Sequence, residues 1–309
     1  MKKLSKEVQE DISRQMGLKS RDIDMCMINA LDDFMPRDML LDCLTLFLNK
    51  DGGYGHALHI DNYNINSSPY QVYEAFRLIN MVDIKNIYDN ELYDMVITKP
   101  LNYLFNKVAL INNRWNPNVK TNNDFAHSNL FTYSEENSKE FGYHPTVALV
   151  GYTLNLCKPT KVYYKKALVM AQKIIADFKS MDSFTRYEMV SFNSFLNSIK
   201  KAKLFEADWA YMEEKLIKAA EEMVELDFTN PDCVRPMEVA FYLSSPKLDE
   251  CKELELDYLC DSIKSYGLWA HNKDWGTKKY AEEDSAMLKW VGAESVNNYF
   301  ILKKYGRME

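Results

Sequence analysis

The stretch from Leu48 to Val82, LNKDGGYGHALHIDNYNINSSPYQVYEAFRLINMV, constrains the fold more than any other part of the chain. An apolar helical run ends at Leu48. Asp51-Gly52-Gly53-Tyr54-Gly55 then demands a tight turn, because glycine tolerates positive φ where other residues do not. A polar, asparagine-rich loop follows. Ser67-Ser68-Pro69 opens the next helix, with serine as N-cap and proline preformed at the first helical position. The segment is therefore helix, glycine turn, polar loop, capped helix.

The rest of the chain repeats a two-helix unit at a spacing of roughly 40 to 60 residues, in the range of helical repeat arrays. Residues 4 to 34 read as two helices broken near Gly17, with Ser20 as N-cap of the second. Pro36 starts a helix with Leu40, Leu41, Leu44, Phe47 and Leu48 at helical spacing. Residues 88 to 111 are helical in pattern, interrupted at Pro100. A long polar loop runs from Asn112 to Tyr143, and loops of that length tend to be functional or disordered. After His144-Pro145 the run TVALVGYTLNLC is apolar on all sides, as a fully buried helix requires. Residues 161 to 179 instead carry one apolar stripe among lysines, the mark of an outer helix, and 183 to 203 follow as its partner. The alternation repeats with an outer stripe through Met212, Leu216 and Met223 and an inner start at Arg235-Pro236. Leu254 to Tyr266 and a last helix over 285 to 305 flank the loop GLWAHNKDWGTKKYAEED. No segment shows a strand pattern.

The turn Asp51-Gly52-Gly53-Tyr54-Gly55, with Ser68-Pro69 and a helix downstream, resembles the repeat of the squalene-hopene cyclase and protein prenyltransferase superfamily. That resemblance implies an all-α chain folded as an α/α toroid, with about five to six helical hairpins in two concentric rings. Residues 1-309 then form one toroid domain, with 1-35 supplying N-terminal helices that close the ring. The catalytic signatures of the superfamily are missing. No D-x-D-D acid motif occurs: Asp32-Asp33 and Asp22-x-Asp24 are incomplete. Asp232-Cys233 and His271 do not stand in the context of the prenyltransferase zinc site, and there is no Cys-His pair of the lanthionine cyclase type.

Composition sets further bounds. A net charge of −7 argues against nucleic acid or an anionic membrane as partner. No apolar run approaches the roughly 18 residues of a membrane span, and the N-terminus lacks a signal-peptide core. The six cysteines form no C-x-x-C pair, so a cytoplasmic protein with reduced thiols, without metal or cofactor, is expected.

The five histidines place the expected site. His56, His59, His127, His144 and His271 all lie between the two helices of a unit or at the start of the second. A toroid gathers those connections on one rim. Inner-helix N-termini converge there too and favour an anionic head group on a small-molecule ligand. The expected catalytic set is His56, Asp124, His127, His144, His271 and Asp274. Asp61, Trp115, Trp275, Tyr73 and Tyr152 are expected to contact substrate. Asp51 stabilises the glycine turn. Three functions remain open: an enzyme acting on a hydrophobic or isoprenoid-like molecule, a carbohydrate-active α/α-barrel hydrolase or lyase using paired carboxylates and aromatic rings, and a binding protein that kept the fold.

Overall fold

A computed structural model describes residues 1–84, 91–271 and 273–309. The chain is mostly helical. Its helices are α1 (Lys6–Lys19), α2 (Asp22–Leu31), α3 (Met39–Thr45), α4 (Pro69–Val82), α5 (Glu91–Tyr93), α6 (Lys99–Lys107) and α7 (Glu135–Phe141). They continue with α8 (Thr146–Leu156), α9 (Val162–Ser180), α10 (Arg186–Lys201), α11 (Glu206–Met223), α12 (Pro236–Val239), α13 (Pro246–Asp261) and α14 (Glu282–Lys304).

The glycine turn has the chemistry its sequence implies. Gly52 lies at φ +92°, and a Cβ on Gly55 would stand 2.4 Å from the Ile65 carbonyl oxygen. Asp51 Oδ1 accepts from Gly53 N–H (2.9 Å) and from the Ser67 hydroxyl (2.6 Å), which ties the turn to the approach of α4. Ser68 then caps α4 by accepting from Gln71 N–H, with Pro69 in the first turn.

The packing partners separate into two kinds. α2 packs on α4, α4 on α8, α8 on α10, α10 on α12, α12 on α13, α13 on α14, and α14 on α2 again. That circuit returns to its start. α9 packs on α8 and α6, and α11 on α10 and α13. α8 is buried on every side, whereas α9 buries only the stripe Ala167, Ala171, Ile174, Ile175 and Phe178. The chain ends are stitched together. Leu4 N–H donates to the Arg307 carbonyl and Glu309 N–H to the Leu4 carbonyl. The fully buried Arg307 guanidinium reaches Asp257 (2.6 Å) and Glu253 (2.5 Å).

Four local expectations need correction. α1 runs through Gly17, whose Cα faces open space, and ends at Ser20, which closes α1 instead of opening α2. A two-stranded antiparallel hairpin, β1 (Leu110–Ile111) with β2 (Arg114–Trp115), occurs where no strand was expected. Two residues per strand are too few for a period-2 signal to register. The expected helix over 88 to 111 begins at Glu91 among the described residues; 88 to 90 lie outside them. It passes through a π turn, Asp94–Thr98, in which Lys99 N–H reaches Asp94 O just before Pro100, a residue with no N–H to donate. Finally, the inner helix expected from Arg235 is only the four-residue α12. A second cap, Ser245 with Pro246, starts α13 soon after.

Candidate functional site

A cavity of about 920 Å³ is lined by the inward faces of α4, α10 and α14, by two residues each from α7 and α12, by single residues from α8 and α13, and by the loops at 59–61, 128–130, 228–235, 241–242 and 270–276. On α4 it runs from Tyr70 to Met81, on α10 from Arg186 to Lys201, and on α14 from Trp290 to Ile301. Lining positions on α14 (290, 294, 297, 298, 301) follow helical spacing, so one face of each helix serves the cavity. One end of the cavity is formed by loops. Elsewhere its wall combines helix faces with the residues of 228–242.

At the loop end, three segments are sewn together around Asp61. Gln71 on α4 accepts from His59 N–H (2.7 Å) and donates to Asn62 O (3.2 Å), fixing the loop that carries Asp61. Ser128 N–H donates to Asp61 O, and Asn129 N–H to Trp275 O, which joins the second and third loops. The indole N–H groups of Trp275 (2.8 Å) and Trp290 (2.5 Å) both donate to Asp61 Oδ1. Oδ2 has no donor among the described residues. His271 stacks on Trp290, centroids 4.7 Å apart at 11°, with Nδ1 3.9 Å from Glu294.

Along the helix bodies, Arg77 forms a bidentate pair with Glu74 (3.0 and 2.7 Å) and crosses to Asn297 on α14 (2.9 Å). Burial alone would raise the Glu74 pKa, but the Arg77 charge and hydrogen bonds outweigh it and hold the carboxyl at about 2. Arg186 pairs in the same bidentate way with Glu238 (2.6 and 2.5 Å), and Lys273 pairs with Asp232 at 3.0 Å. Glu255 on α13 is 1% exposed and accepts from Met237 N–H (2.7 Å). Burial pushes its carboxyl up to about 7 against the pull of that hydrogen bond and of Arg235. Two buried polar atoms of cavity-lining residues, Ser128 Oγ and Asn193 Oδ1, have no hydrogen-bond partner.

Of the residues expected from sequence, Asp61, Tyr73, Tyr152, His271, Asp274 and Trp275 line the cavity. Five do not, and each has a physical reason. His56 is exposed and bonds Asn49 (3.0 Å) on the outer side of the glycine turn. Asp124 is exposed at the end of a 3-10 turn. His127 is buried as a clamp within its own loop, between Phe125 O (2.7 Å) and the Thr132 hydroxyl (3.1 Å). Trp115 lies in the core and donates to Leu104 O (3.0 Å). His144 stands behind the cavity wall, packed on Tyr70 and Tyr73, with Nδ1 2.7 Å from the Ser191 hydroxyl. Burial pushes its pKa down to about 3, with a smaller contribution from His59, so it is neutral at pH 7. The expectation that His56, His144 and His271 share one cavity is therefore not met; only His271 lines it.

Sequence reasoning missed Trp290, Glu255, Arg77 and the amides Asn193, Asn197, Asn297 and Asn298. A signal existed for the amides: asparagine is a poor helix former, yet Asn193 and Asn197 stand at i, i+4 spacing and Asn297 and Asn298 side by side inside helix bodies. No group of three or more His, Cys, Asp or Glu able to hold a metal occurs among the described residues. The sulphurs of Cys26 on α2 and Cys43 on α3 are in contact, with Cα atoms 7.3 Å apart; Cys157, Cys233, Cys251 and Cys260 are free thiols. The contact between Cys26 and Cys43 departs from the expectation of reduced thiols throughout. No helix among the described residues is long and apolar enough to cross a membrane. No family model matches the chain, and neither a curated protein nor a solved structure is significantly similar to it.

Proposed function

We propose that residues 1–309 form an α/α toroid and that its cavity is the active site of an enzyme cleaving glycosidic bonds. The returning circuit of helix packing supports the toroid, as do the contrast between α8 and α9 and the Asp51–Gly55 turn that resembles the terpenoid cyclase and prenyltransferase repeat. Fold alone does not fix chemistry. The observation that carries the function is a pair of carboxyl groups in opposite surroundings on one cavity. Asp61 is oriented by two indole donors, and Glu255 is buried with a pKa of about 7. A buried carboxyl that keeps its proton can serve as the acid, and a second carboxyl fixed by two donors can serve as the base. Glu255 donates its proton to the leaving oxygen as the glycosidic C–O bond breaks, and Asp61 accepts a proton from the water that attacks the sugar carbon.

The second reading is an isoprenoid-like ligand with an anionic head group. Arg77, Arg186 and Lys273 are each already paired with a carboxylate, but Arg235 and Lys201 line the cavity without an ion pair among the described residues and are the cations such a head group would meet.

The test is hydrolysis of oligosaccharides and nitrophenyl glycosides by the purified protein. Asp61→Asn and Glu255→Gln are each expected to lower turnover by about 10²- to 10⁴-fold. Native mass spectrometry of the protein as purified is the counter-test. A bound isoprenoid, with no glycan turned over, would overturn the reading.

A further inference from the structure

We propose that His59 is a catalytic residue of the cavity: together with Asp61 it holds the water that attacks the sugar carbon. This rests on the glycosidase reading above and adds to it the group that positions the nucleophile.

His59 stands two residues before Asp61 on the same loop, and both line the cavity. The backbone there is fixed on both sides of the ring. His59 N–H donates to the buried Gln71 side chain (2.7 Å), and the His59 carbonyl accepts from Asn62 N–H (3.2 Å). The imidazole itself is boxed by three rings: Tyr70 edge-on at 5.0 Å, Phe131 at 5.0 Å and Trp290 at 5.6 Å.

The position of the ring proton follows from these contacts. Asp61 N–H donates to His59 Nδ1 at 3.3 Å. A nitrogen that accepts a hydrogen bond carries no proton, so the neutral ring has its N–H on Nε2. Burial pushes the His59 pKa below its ordinary value, against smaller pulls from Asp61 and Glu74, so the neutral form is the one present at pH 7.

Two polar atoms are left over, and they match. Among the described residues His59 Nε2–H has no acceptor and Asp61 Oδ2 has no donor, and neither atom is sealed from solvent. His144 supplies the contrast: its Nε2 is also without a partner, but it is buried behind the cavity wall. A donor and an acceptor two residues apart suit a water molecule. The water gives one hydrogen to Asp61 Oδ2 and takes the His59 N–H on one lone pair, which leaves the other lone pair for the sugar carbon. A bond forms from the water oxygen to that carbon as the glycosidic C–O bond breaks. The water proton passes to Asp61, and the leaving oxygen takes the Glu255 proton. His59 donates throughout and keeps its own proton.

The experiment uses the full chain and two readouts. Heteronuclear NMR of the imidazole nitrogens at pH 7, with the His59 signals assigned by their loss in His59→Gln, is expected to show the Nε2–H tautomer. An Nδ1–H tautomer or a charged ring would overturn the role of His59 whatever the activity. The second readout is kinetic, on a glycoside that the wild type cleaves. His59→Phe fills the same aromatic box without an N–H and should lower kcat about 10²-fold, with KM within about threefold. His59→Gln keeps an N–H donor and should stay within about tenfold of wild-type turnover. If His59→Phe does not fold, His59→Leu carries the same expectation. A merely structural histidine gives the reverse order, because phenylalanine suits a box of rings better than glutamine does. Wild-type turnover in the phenylalanine variant, or more turnover there than in the glutamine variant, would overturn the role of His59 and leave the hydrolase standing. A wild type that shows the Nε2–H tautomer but cleaves no glycoside would remove the hydrolase, and the attacking water with it.

Discussion

The two ends of the cavity hold their side chains by different means. At the loop end, Asp61 owes its position to hydrogen bonds among three separate loops: Gln71 and Ser128 to the first, Asn129 from the second to the third, and two indoles onto one carboxylate oxygen. In the other half, Asn193, Asn197 and Asn297 owe theirs to helix spacing and to the packed neighbours behind them. A loop built by polar stitching depends on each stitch. A helix face is set by a core of apolar contacts each contributing about 1.5–3 kcal/mol, so single contacts matter less to its position. Changes at the loop end should therefore show in turnover, and changes to charged groups in the helix half should show in stability.

The sharpest test of that division is Glu74→Ala. It leaves Arg77 with no carboxylate partner in a cavity wall, and breaking one side of such a buried pair costs about 3–5 kcal/mol. A Glu74→Ala variant should accordingly show a much lower urea midpoint, whereas Trp275→Phe, which removes one of two donors to Asp61, should lose only about 1 kcal/mol. Equal losses from the two variants would erase the distinction between the ends.

This difference also decides what was legible in the sequence. The glycine turn, the Ser68-Pro69 cap and the all-apolar α8 were readable because each depends on neighbours within a few residues. Asp61, Asp274, Trp275 and His271 were found because they stand in polar loops. The same rule also selected His56 and Asp124. Sequence marks a residue as lying in a loop, but which side of the loop faces the cavity depends on partners such as Asn49, far from any repeat signal. Trp290 and Glu255 were not found because they lie within helices, and only the packing of α13 and α14 determines which helix face turns inward. The short α12 was misjudged for a similar reason. A proline start was visible at Pro236, but the competing start at Ser245-Pro246 was not weighed against it.

Between the two ends, Glu255 and His144 make pH a second probe, with an effect of middle size. The folded Glu255 pKa of about 7 lies above its ordinary 4.5, so the folded state binds more protons between those values. Its contribution to stability is present at low pH and is lost as pH rises from 4.5 to 7, on the order of 3 kcal/mol. His144 works in reverse. Its folded pKa of about 3 lies below 6.5, so its contribution is present above 6.5 and is lost as pH falls toward 3. The two oppose each other between pH 4.5 and 6.5, and below pH 4.5 Glu74 joins His144 as its carboxylate protonates toward about 2. Chemical denaturation across pH should therefore give a flat region from about 4.5 to 6.5 and a steep fall below it. Glu255→Gln removes one side of the balance. In that variant stability should rise with pH through the formerly flat region, and an unchanged plateau would mean that Glu255 does not titrate there.

The smallest expected effect falls on the histidine that sequence placed first. His56 sits beside the glycine turn at φ 58°, exposed, and its ring bonds Asn49 at 3.0 Å. Asn49 is independently held, because its Nδ2 donates to Ile65 O (2.9 Å) and to the Ser67 hydroxyl (3.1 Å). Removing the imidazole takes one solvent-exposed hydrogen bond from a residue that keeps two others. Histidine tolerates this positive φ somewhat better than alanine does, which adds only a small backbone cost. His56→Ala should thus change stability by less than about 0.5 kcal/mol, the range of exposed substitutions, and leave turnover and sugar affinity at wild-type values. His271 is the control: it lies in an equally polar loop, but it stacks on Trp290, one of the two donors to Asp61. If His56→Ala abolished turnover while His271→Ala did not, the functional end of the molecule would lie outside the cavity, on the outer face of the glycine turn, and Asp61 would lose its assigned role.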